Sequence, residues 1–230
     1  MDWSPLWISL KTAALSTVFT FFAGILVAWW VVRIQNRLLK GIIDGFLTLP
    51  LILPPTVIGF FLLKIFGVNG PVGLLFLNLF DAKIVFSWPA TVISATVVAF
   101  PLMYRTTRGA FAQLDQNLVY AGRTLGLRNS YLFWHIVVPN CVQGILAGTI
   151  LSFARALGEF GATMMLAGNL PGKTRTISTA VYSFMAAGKD AEAYQWVLVN
   201  LLISFASMLI LNFWTPKNTR RKARPAKTEG

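Results

Sequence analysis

Residues 6–32 read LWISLKTAALSTVFTFFAGILVAWWVV, an apolar run in which Lys11 is the only charged side chain. A helix needs about 20 consecutive apolar residues to cross a bilayer. The run is too long for the apolar region of a signal peptide, and the residues before it carry an acid, Asp2, instead of the usual basic charge. It therefore predicts a retained membrane-spanning helix.

The composition of the whole chain agrees with that prediction. Of its 230 residues, 56% are hydrophobic and only 12% are charged, against about 25% charged in globular proteins. So few charges cannot cover the surface of a soluble enzyme, and so much apolar surface excludes a disordered chain. The single cysteine and the single histidine argue against a disulfide framework and a metal site.

Four more apolar stretches are long enough to cross a bilayer, at 46–66, 84–104, 141–167 and 194–214. We therefore predict an all-α integral membrane protein with about five transmembrane helices. Residues 1–214 form the transmembrane domain in this interpretation, and residues 215–230 form a basic tail.

The net charge of +12 has a location that orients these spans. Basic residues follow the first, third and fifth predicted spans: Arg33, Arg37, Lys40, Arg105, Arg108, Arg123, Arg128 and the tail. Cytoplasmic loops carry the excess of Lys and Arg. The N-terminus is therefore predicted outside and the C-terminus in the cytoplasm. The tail then meets anionic lipid and is not a nucleic-acid-binding arm.

Residues 105–139 form the longest predicted cytoplasmic connection, well beyond the 2–8 residues usual between helices. Asp115 is placed to cap a short helix, and Leu118, Ala121 and Leu125 recur on one face of it. Gly126 is placed to end that helix. A second amphipathic piece then contains Leu132, Phe133 and Ile136, and Pro139 introduces the fourth span.

This loop carries a resemblance to a known family. Ala121-Gly122-Arg123-Thr124-Leu125-Gly126, followed after nine residues by Ile136-Val137-Val138-Pro139, resembles the EAA loop of permease subunits of ATP-binding-cassette (ABC) importers. The spacing from glycine to isoleucine matches, while the family's acid is absent at Val119 and Tyr120. The resemblance implies that Ala121–Gly126, Ile136 and Pro139 belong to a coupling loop that sits in a groove of a cytoplasmic ATPase. The alternative is a generic amphipathic helix at the membrane surface.

Two charged residues stand out inside the fourth predicted span. Arg155 and Glu159 are four residues apart and share one helix face. A charge at the bilayer centre costs about 2.5–3.5 kcal/mol, so the pair must face the protein interior or a wet cavity. Gly158 and Gly161 permit close helix approach beside it. The pair either lines a translocation path or locks helices together.

Three prolines interrupt the second predicted span. Pro50, Pro54 and Pro55 cannot donate helical hydrogen bonds and are expected to kink or break the helix. Broken backbone at membrane depth is tolerated where it lines a cavity or is buried in protein. The alternative is a proline-rich first turn at the membrane boundary.

Three stretches together narrow the resemblance to the molybdate permeases, with sulfate permeases as near relatives. They are RALGEFGAT at 155–163, NLPGKTRTI at 169–177 and LPLILPPTVIG at 49–59. The resemblance implies a type I ABC importer permease fold in the bacterial inner membrane. It also implies a permease homodimer, two cytoplasmic ATPase subunits and an external oxyanion-binding protein.

On this interpretation the chain is not an enzyme and binds no cofactor or metal, and ATP is used by the partner subunit. The alternatives are a sulfate or tungstate permease and, from another class, a membrane-embedded enzyme that uses Arg155 and Glu159. Residues 167–174, AGNLPGKT, nearly match a phosphate-binding P-loop. A P-loop joins a strand to a helix, whereas this segment follows a membrane span, so we expect an external loop with Thr176 as a possible helix cap.

Overall fold

A computed structural model describes residues 2–214 of the chain. The predicted basic tail at 215–230 lies outside the described residues. Within 2–214 the regular structure is entirely helical, which confirms the all-α prediction. The helices are α1 (Ser4–Val32), α2 (Arg37–Ile52), α3 (Pro55–Phe66), α4 (Pro71–Phe80), α5 (Trp88–Gln113), α6 (Gln116–Thr124), α7 (Asn129–Leu132), α8 (Val138–Asn140), α9 (Val142–Leu157), α10 (Gly161–Leu166), α11 (Ile177–Ala186) and α12 (Asp190–Trp214), with a π-helical turn at Phe133–Val137.

Helix α1 is the long helix expected from the opening stretch, and it packs through small residues. Its buried side includes a residue at every fourth position: Thr12, Ser16, Thr20, Gly24 and Ala28. A Cβ added at Gly24 would lie 2.6 Å from Met103 Cγ on α5. Between helices in a lipid bilayer the hydrophobic effect gives no driving force, so small residues that allow close van der Waals packing are favoured at their contacts.

Helices α1, α5 and α9 form the central packing unit. Gly148 on α9 also lies against α5, because a Cβ there would be 3.0 Å from Met103 Sδ. Met103 and Tyr104 are fully buried in the main apolar cluster, and Phe111 at the far end of α5 is 1% exposed. A Thr12–Thr91 hydroxyl contact of 2.8 Å joins α1 to α5 within this unit.

Two of the five predicted spans are not continuous helices. The stretch predicted at 46–66 is divided between α2 and α3, whose axes differ by 110°. The stretch predicted at 141–167 is divided into α9 and α10 by residues 158–160. By length and apolarity α1 and α12 each suffice to cross a membrane, and the bent pairs of α2 with α3 and of Asn129–Asn140 with α9 would add one span each.

The third predicted span also has different bounds. Helix α5 has 26 residues and extends through Arg105 and Arg108 to Gln113, so the first part of the predicted loop at 105–139 is helical. The helix begins after Ser87 and contains Pro101 without ending there. It ends at Leu114, whose extended backbone separates it from α6.

Candidate functional site

The predicted ion pair lies at a helix end. Arg155 is in the last turn of α9, Gly158 caps that helix, and Glu159 lies in the connection to α10. One Arg155 Nη atom is 2.8 Å from Glu159 Oε2, and the two side chains are 30% and 2% exposed. The prediction that both residues share one face of a continuous mid-span helix is therefore wrong, although the pair itself forms.

The second carboxylate oxygen of Glu159 explains this arrangement. Glu159 Oε1 accepts a hydrogen bond from the backbone N–H of Ala162 at 2.8 Å. The first amides of a helix have no partner inside that helix, and a negative charge is favoured at its N-terminus. Glu159 therefore belongs to the start of α10, while Arg155 belongs to the end of α9, so the pair holds the two helix ends together.

The two broken helices meet close to their breaks. A Cβ added at Gly161 would lie 2.8 Å from Pro55 Cβ, at the start of α3. One added at Gly59 would lie 2.7 Å from Met165 Cβ and 3.0 Å from Ala162 Cα on α10. Glycine at these two positions lets α3 and α10 lie almost backbone to backbone, which brings the predicted proline and glycine positions into one cluster.

The three prolines have different positions in the helices. Pro50 lies inside α2, which continues to Ile52, so the expected interruption at Pro50 does not occur. Leu53, which precedes Pro54, is extended with ψ 143°, as the ring of a following proline favours. Pro55 is in the first turn of α3, where its missing N–H removes no helical bond. The bend therefore falls between Leu53 and Pro55.

The predicted cytoplasmic segment contains a short helix with defined ends. Asp115 accepts a hydrogen bond from the Asn117 N–H at 2.9 Å and caps α6. Gly126 has a left-handed φ of 75°, the Gly126 N–H donates to Arg123 O at 2.9 Å, and the Leu127 N–H donates to Gly122 O at 3.1 Å. This pair of bonds is the Schellman motif, so the chain turns sharply after α6.

Helix α6 has one anchored side and one exposed apolar side. Val119 and Gly122 are buried, and a Cβ at Gly122 would collide with the side chain of Leu132 on α7. The adjacent exposed side presents three apolar residues, of which Leu118 is 43% and Leu125 is 77% exposed: Leu118, Ala121 and Leu125. These three residues are the α6 apolar stripe. Arg123 and Thr124 are exposed beside it.

The second amphipathic piece anchors α6 to the central helices. Leu132 is 1% and Phe133 6% exposed, while Ile136 is half-buried. The Phe133 ring lies 4.9 Å from the ring of Trp29 on α1. Pro139 lies within α8, and the 74° bend into α9 follows it at Cys141. The Phe133 ring also lies 6.2 Å from the ring of Phe111 on α5, so the predicted cytoplasmic segment packs on both α1 and α5.

The structure contains a polar cluster that the sequence did not predict. Asp44 on α2 lies 2.6 Å from an Arg108 Nη atom on α5, and the Tyr104 hydroxyl donates to the same carboxylate oxygen at 2.8 Å. Tyr104 is fully buried. Asp44 is the only acidic residue between Asp2 and Asp81. A single acid in such an apolar region could have indicated that it has a polar partner in the fold.

Comparison with known proteins identifies relatives that are membrane components of transport systems. Residues 20–221 match the family described as "Binding-protein-dependent transport system inner membrane component". The chain is 40% identical over 216 residues to the "Putative molybdenum transport system permease protein YvgM" of Bacillus subtilis (strain 168), covering 94% of this chain and 93% of the relative. It is 38% identical over 223 residues to the "Molybdenum transport system permease protein ModB" of Escherichia coli (strain K12), covering 96% of each.

Solved structures share the fold at low sequence identity. A bacterial alginate ABC transporter in complex with an alginate-bound periplasmic protein has a chain with TM-score 0.74 and 15% identity, covering 94% of this chain and 79% of that one. A chain of the inward-facing MetNI methionine ABC transporter has TM-score 0.65 and 16% identity, covering 92% and 94%.

The fold is thus that of an ABC importer permease. The chain belongs to the family of inner-membrane components of binding-protein-dependent transport systems. The predicted all-α fold of an importer permease and the predicted inner-membrane location are confirmed. A transport system of this kind pairs its membrane component with a substrate-binding protein and an ATPase.

Proposed function

We propose that this chain is the permease subunit of an ATP-driven importer that carries molybdate across the inner membrane. The observation that carries the proposal is the identity of 38–40% to relatives named as molybdenum permeases over 94–96% of the chain. Sulfate and tungstate are the alternative cargoes, because they are also tetrahedral divalent oxyanions.

In this proposal the chain has five spans, with its N-terminus outside and its C-terminus in the cytoplasm. Helices α1, α5 and α12 each have at least 25 residues, and α2 with α3 and α9 with α10 supply the remaining two spans. The arginines at the end of α5 and on α6 then lie on the cytoplasmic side, as the positive-inside rule requires.

The α6 apolar stripe is the proposed docking surface for the ATPase. An apolar stripe on a short, polar-flanked helix marks an interaction site. Val119 and Gly122 fix the other side of α6 to the body of the permease. The Schellman motif at Gly126 restricts the backbone after α6. A displacement of α6 is therefore transmitted through Phe133 to the ring of Trp29 on α1. Since the acid of the EAA pattern is absent, apolar contacts supply the docking energy.

The cluster of α3 and α10 is the proposed moving part of the translocation path. Two copies of the chain form the path between them, and residues near Pro55, Glu159 and Gly161 change position as the path opens to either side. Arg155 and Glu159 brace the junction of α9 and α10 in this proposal. The chain itself binds no cofactor or metal and has no ATPase site, and the partner subunit binds and hydrolyses ATP.

Reconstitution tests the proposal directly. The permease, its ATPase and its binding protein are placed in proteoliposomes, and ATP-dependent uptake is measured for molybdate, tungstate and sulfate. We expect saturable molybdate uptake that requires all three components. Preferential uptake of sulfate would overturn the cargo, and ATP-independent uptake by the isolated chain would overturn the mechanism.

A further inference from the structure

A cavity of about 560 Å³ opens beside the predicted outer ends of α1 and α5. Lys11 on α1 and Lys173 in the loop between α10 and α11 both contribute to its wall. Aromatic side chains supply much of the remainder: Trp7, Phe86 and Trp88. The cavity is distinct from the α6 apolar stripe and from the cluster of α3 and α10.

The cavity is lined by positive charge without a compensating acid. Its lining includes no Asp or Glu, and within residues 2–214 the ion pairs are those of Asp44 with Arg108 and of Arg155 with Glu159. Lys11 and Lys173 are both exposed. A charge in a membrane helix is costly unless it faces water or a partner. Lys11 Nζ lies 5.9 Å from the centroid of the Trp7 ring, a cation–π distance, and both residues line the cavity.

The wall of the cavity is built in a fixed conformation. The Trp88 indole N–H donates to the Thr12 hydroxyl at 3.2 Å, which holds the ring against α1. Phe86 has a left-handed φ of 57°, a strained conformation for a residue with a side chain. Its N–H donates to Leu166 O at 3.2 Å, so this wall is tied to the end of α10.

We propose that this cavity is a low-affinity subsite for a tetrahedral divalent oxyanion before it enters the translocation path. The subsite rests on the proposed function, because it names an early position of the same cargo. Two ammonium groups donate hydrogen bonds and accept none, which favours an anion over a neutral solute. Exposed ammonium groups bind weakly in water, and weak binding permits onward passage.

Charge-selective thiol labelling tests the subsite without transport. The chain has one cysteine, Cys141, which is buried. Ser87→Cys is placed at the cavity wall in a Cys141→Ala background, in the assembled permease–ATPase complex. With each rate divided by that of the same reagent on a small free thiol, we expect the anionic thiosulfonate reagent to react about fivefold faster than a neutral one and the cationic reagent about fivefold slower, the effect of one unit charge at contact distance in water.

Two further arms complete the labelling experiment. Lys11→Gln with Lys173→Gln should abolish the preference, whereas Lys189→Gln, an exposed lysine outside the cavity lining, should leave it unchanged. Millimolar sodium molybdate or sodium sulfate should slow labelling of the parent but not of the double variant. If neither oxyanion slows labelling beyond an equal ionic strength of sodium chloride, the subsite is overturned.

Transport separates this inference from the proposed function. In reconstituted complexes, Lys11→Gln with Lys173→Gln should reduce molybdate uptake several-fold, and Lys11→Arg with Lys173→Arg should restore most of it. A wild-type complex that carries only sulfate would overturn the proposed cargo and leave the subsite intact. A double variant that transports molybdate at the wild-type rate would overturn the subsite. Reduced uptake that is fully explained by weaker association with the oxyanion-free binding protein would also overturn it, because the lysines would then act in protein docking.

Discussion

Arg155 and Glu159 are joined across the end of α9, with a nitrogen-to-oxygen distance of 2.8 Å. Their exposures are unequal, because the carboxylate is 2% and the guanidinium side chain 30% exposed. Loss of the partner should therefore cost more free energy at Glu159 than at Arg155, since an unpaired buried charge is destabilising.

The first prediction follows from this inequality. Arg155→Met should destabilise the chain by about 3–5 kcal/mol, because it leaves the Glu159 carboxylate buried without a cation. Glu159→Gln should cost less, since its amide oxygen can still accept the Ala162 N–H. Melting temperatures of the purified permease in detergent measure both. The double variant should be more stable than Arg155→Met alone, and strictly additive effects would contradict the pairing.

Gly161→Ala should separate α3 from α10. Its Cβ would lie 2.8 Å from Pro55 Cβ, and overpacking of this kind costs about 1–3 kcal/mol. We expect reduced uptake with the ATPase still bound, measured in proteoliposomes and by co-purification. Gly45→Ala on α2 is the matched control, because a Cβ there meets nothing within 4 Å. Equal uptake by the two variants would count against a tight α3–α10 contact.

The corner after α6 requires a left-handed residue. Gly126→Val should weaken coupling, because a β-branched side chain at φ 75° is strained by about 1–2 kcal/mol or more. Gly126→Asn should be milder, since asparagine visits this conformation. The measurement is the ratio of molybdate transported to ATP hydrolysed. A ratio that falls equally in both variants would show that backbone conformation is not the cause.

The α6 apolar stripe is predicted to hold the ATPase. Leu118→Ser with Leu125→Ser removes two exposed apolar contacts and should weaken ATPase association, which affinity co-purification measures. A buried leucine contributes about 1.5–3 kcal/mol, so we expect a loss of at least tenfold in affinity. Leu74→Ser with Leu79→Ser is the matched control, because these two leucines on α4 are 44% and 67% exposed and lie outside the coupling loop. Retained association in the double serine variant would place the docking surface elsewhere.

Asp44 is predicted to hold α2, the first helix of the bent α2–α3 pair, against α5. Asp44→Asn weakens the contact with Arg108 but keeps an acceptor for the Tyr104 hydroxyl, whereas Asp44→Ala removes both. The melting temperature should therefore fall further for Asp44→Ala than for Asp44→Asn. Arg108→Lys should also lower the melting temperature, because lysine keeps the charge but lacks the planar fork of donors that contacts Asp44. Identical melting temperatures for all three variants and wild type would contradict this role.

The sequence predicted the features that local chemistry determines. The apolar run of α1, the cap at Asp115 and the left-handed turn at Gly126 each depend on a few neighbouring residues, and each is present in the structure. The capping box between Thr176 and Thr179 at α11 is a further case, because a threonine before a helix satisfies an orphan amide.

The features that sequence reasoning missed depend on distant contacts. The break at residues 158–160 carries no proline, and it is stabilised by Glu159 reaching forward to Ala162 and by α10 packing on α3. Periodicity alone therefore predicted one continuous helix. The contact of Asp44 with Arg108 spans two helices that are separated in the chain, so neither residue indicated its partner.

The small-residue face of α1 has a consequence for how this sequence can diverge. Gly24 faces Met103 so closely that a side chain has no room, and Ala13 and Ala28 are fully buried. In a saturation library selected for growth on limiting molybdate, Gly24 should accept only glycine, whereas Ala13 and Ala28 should accept only glycine, alanine or serine. Outward positions such as Phe19 and Leu26, which are 53% and 58% exposed, should exchange freely among apolar types. Along α1, positions that tolerate only small residues would then recur about every four residues, and the exposed positions between them would tolerate many apolar residues.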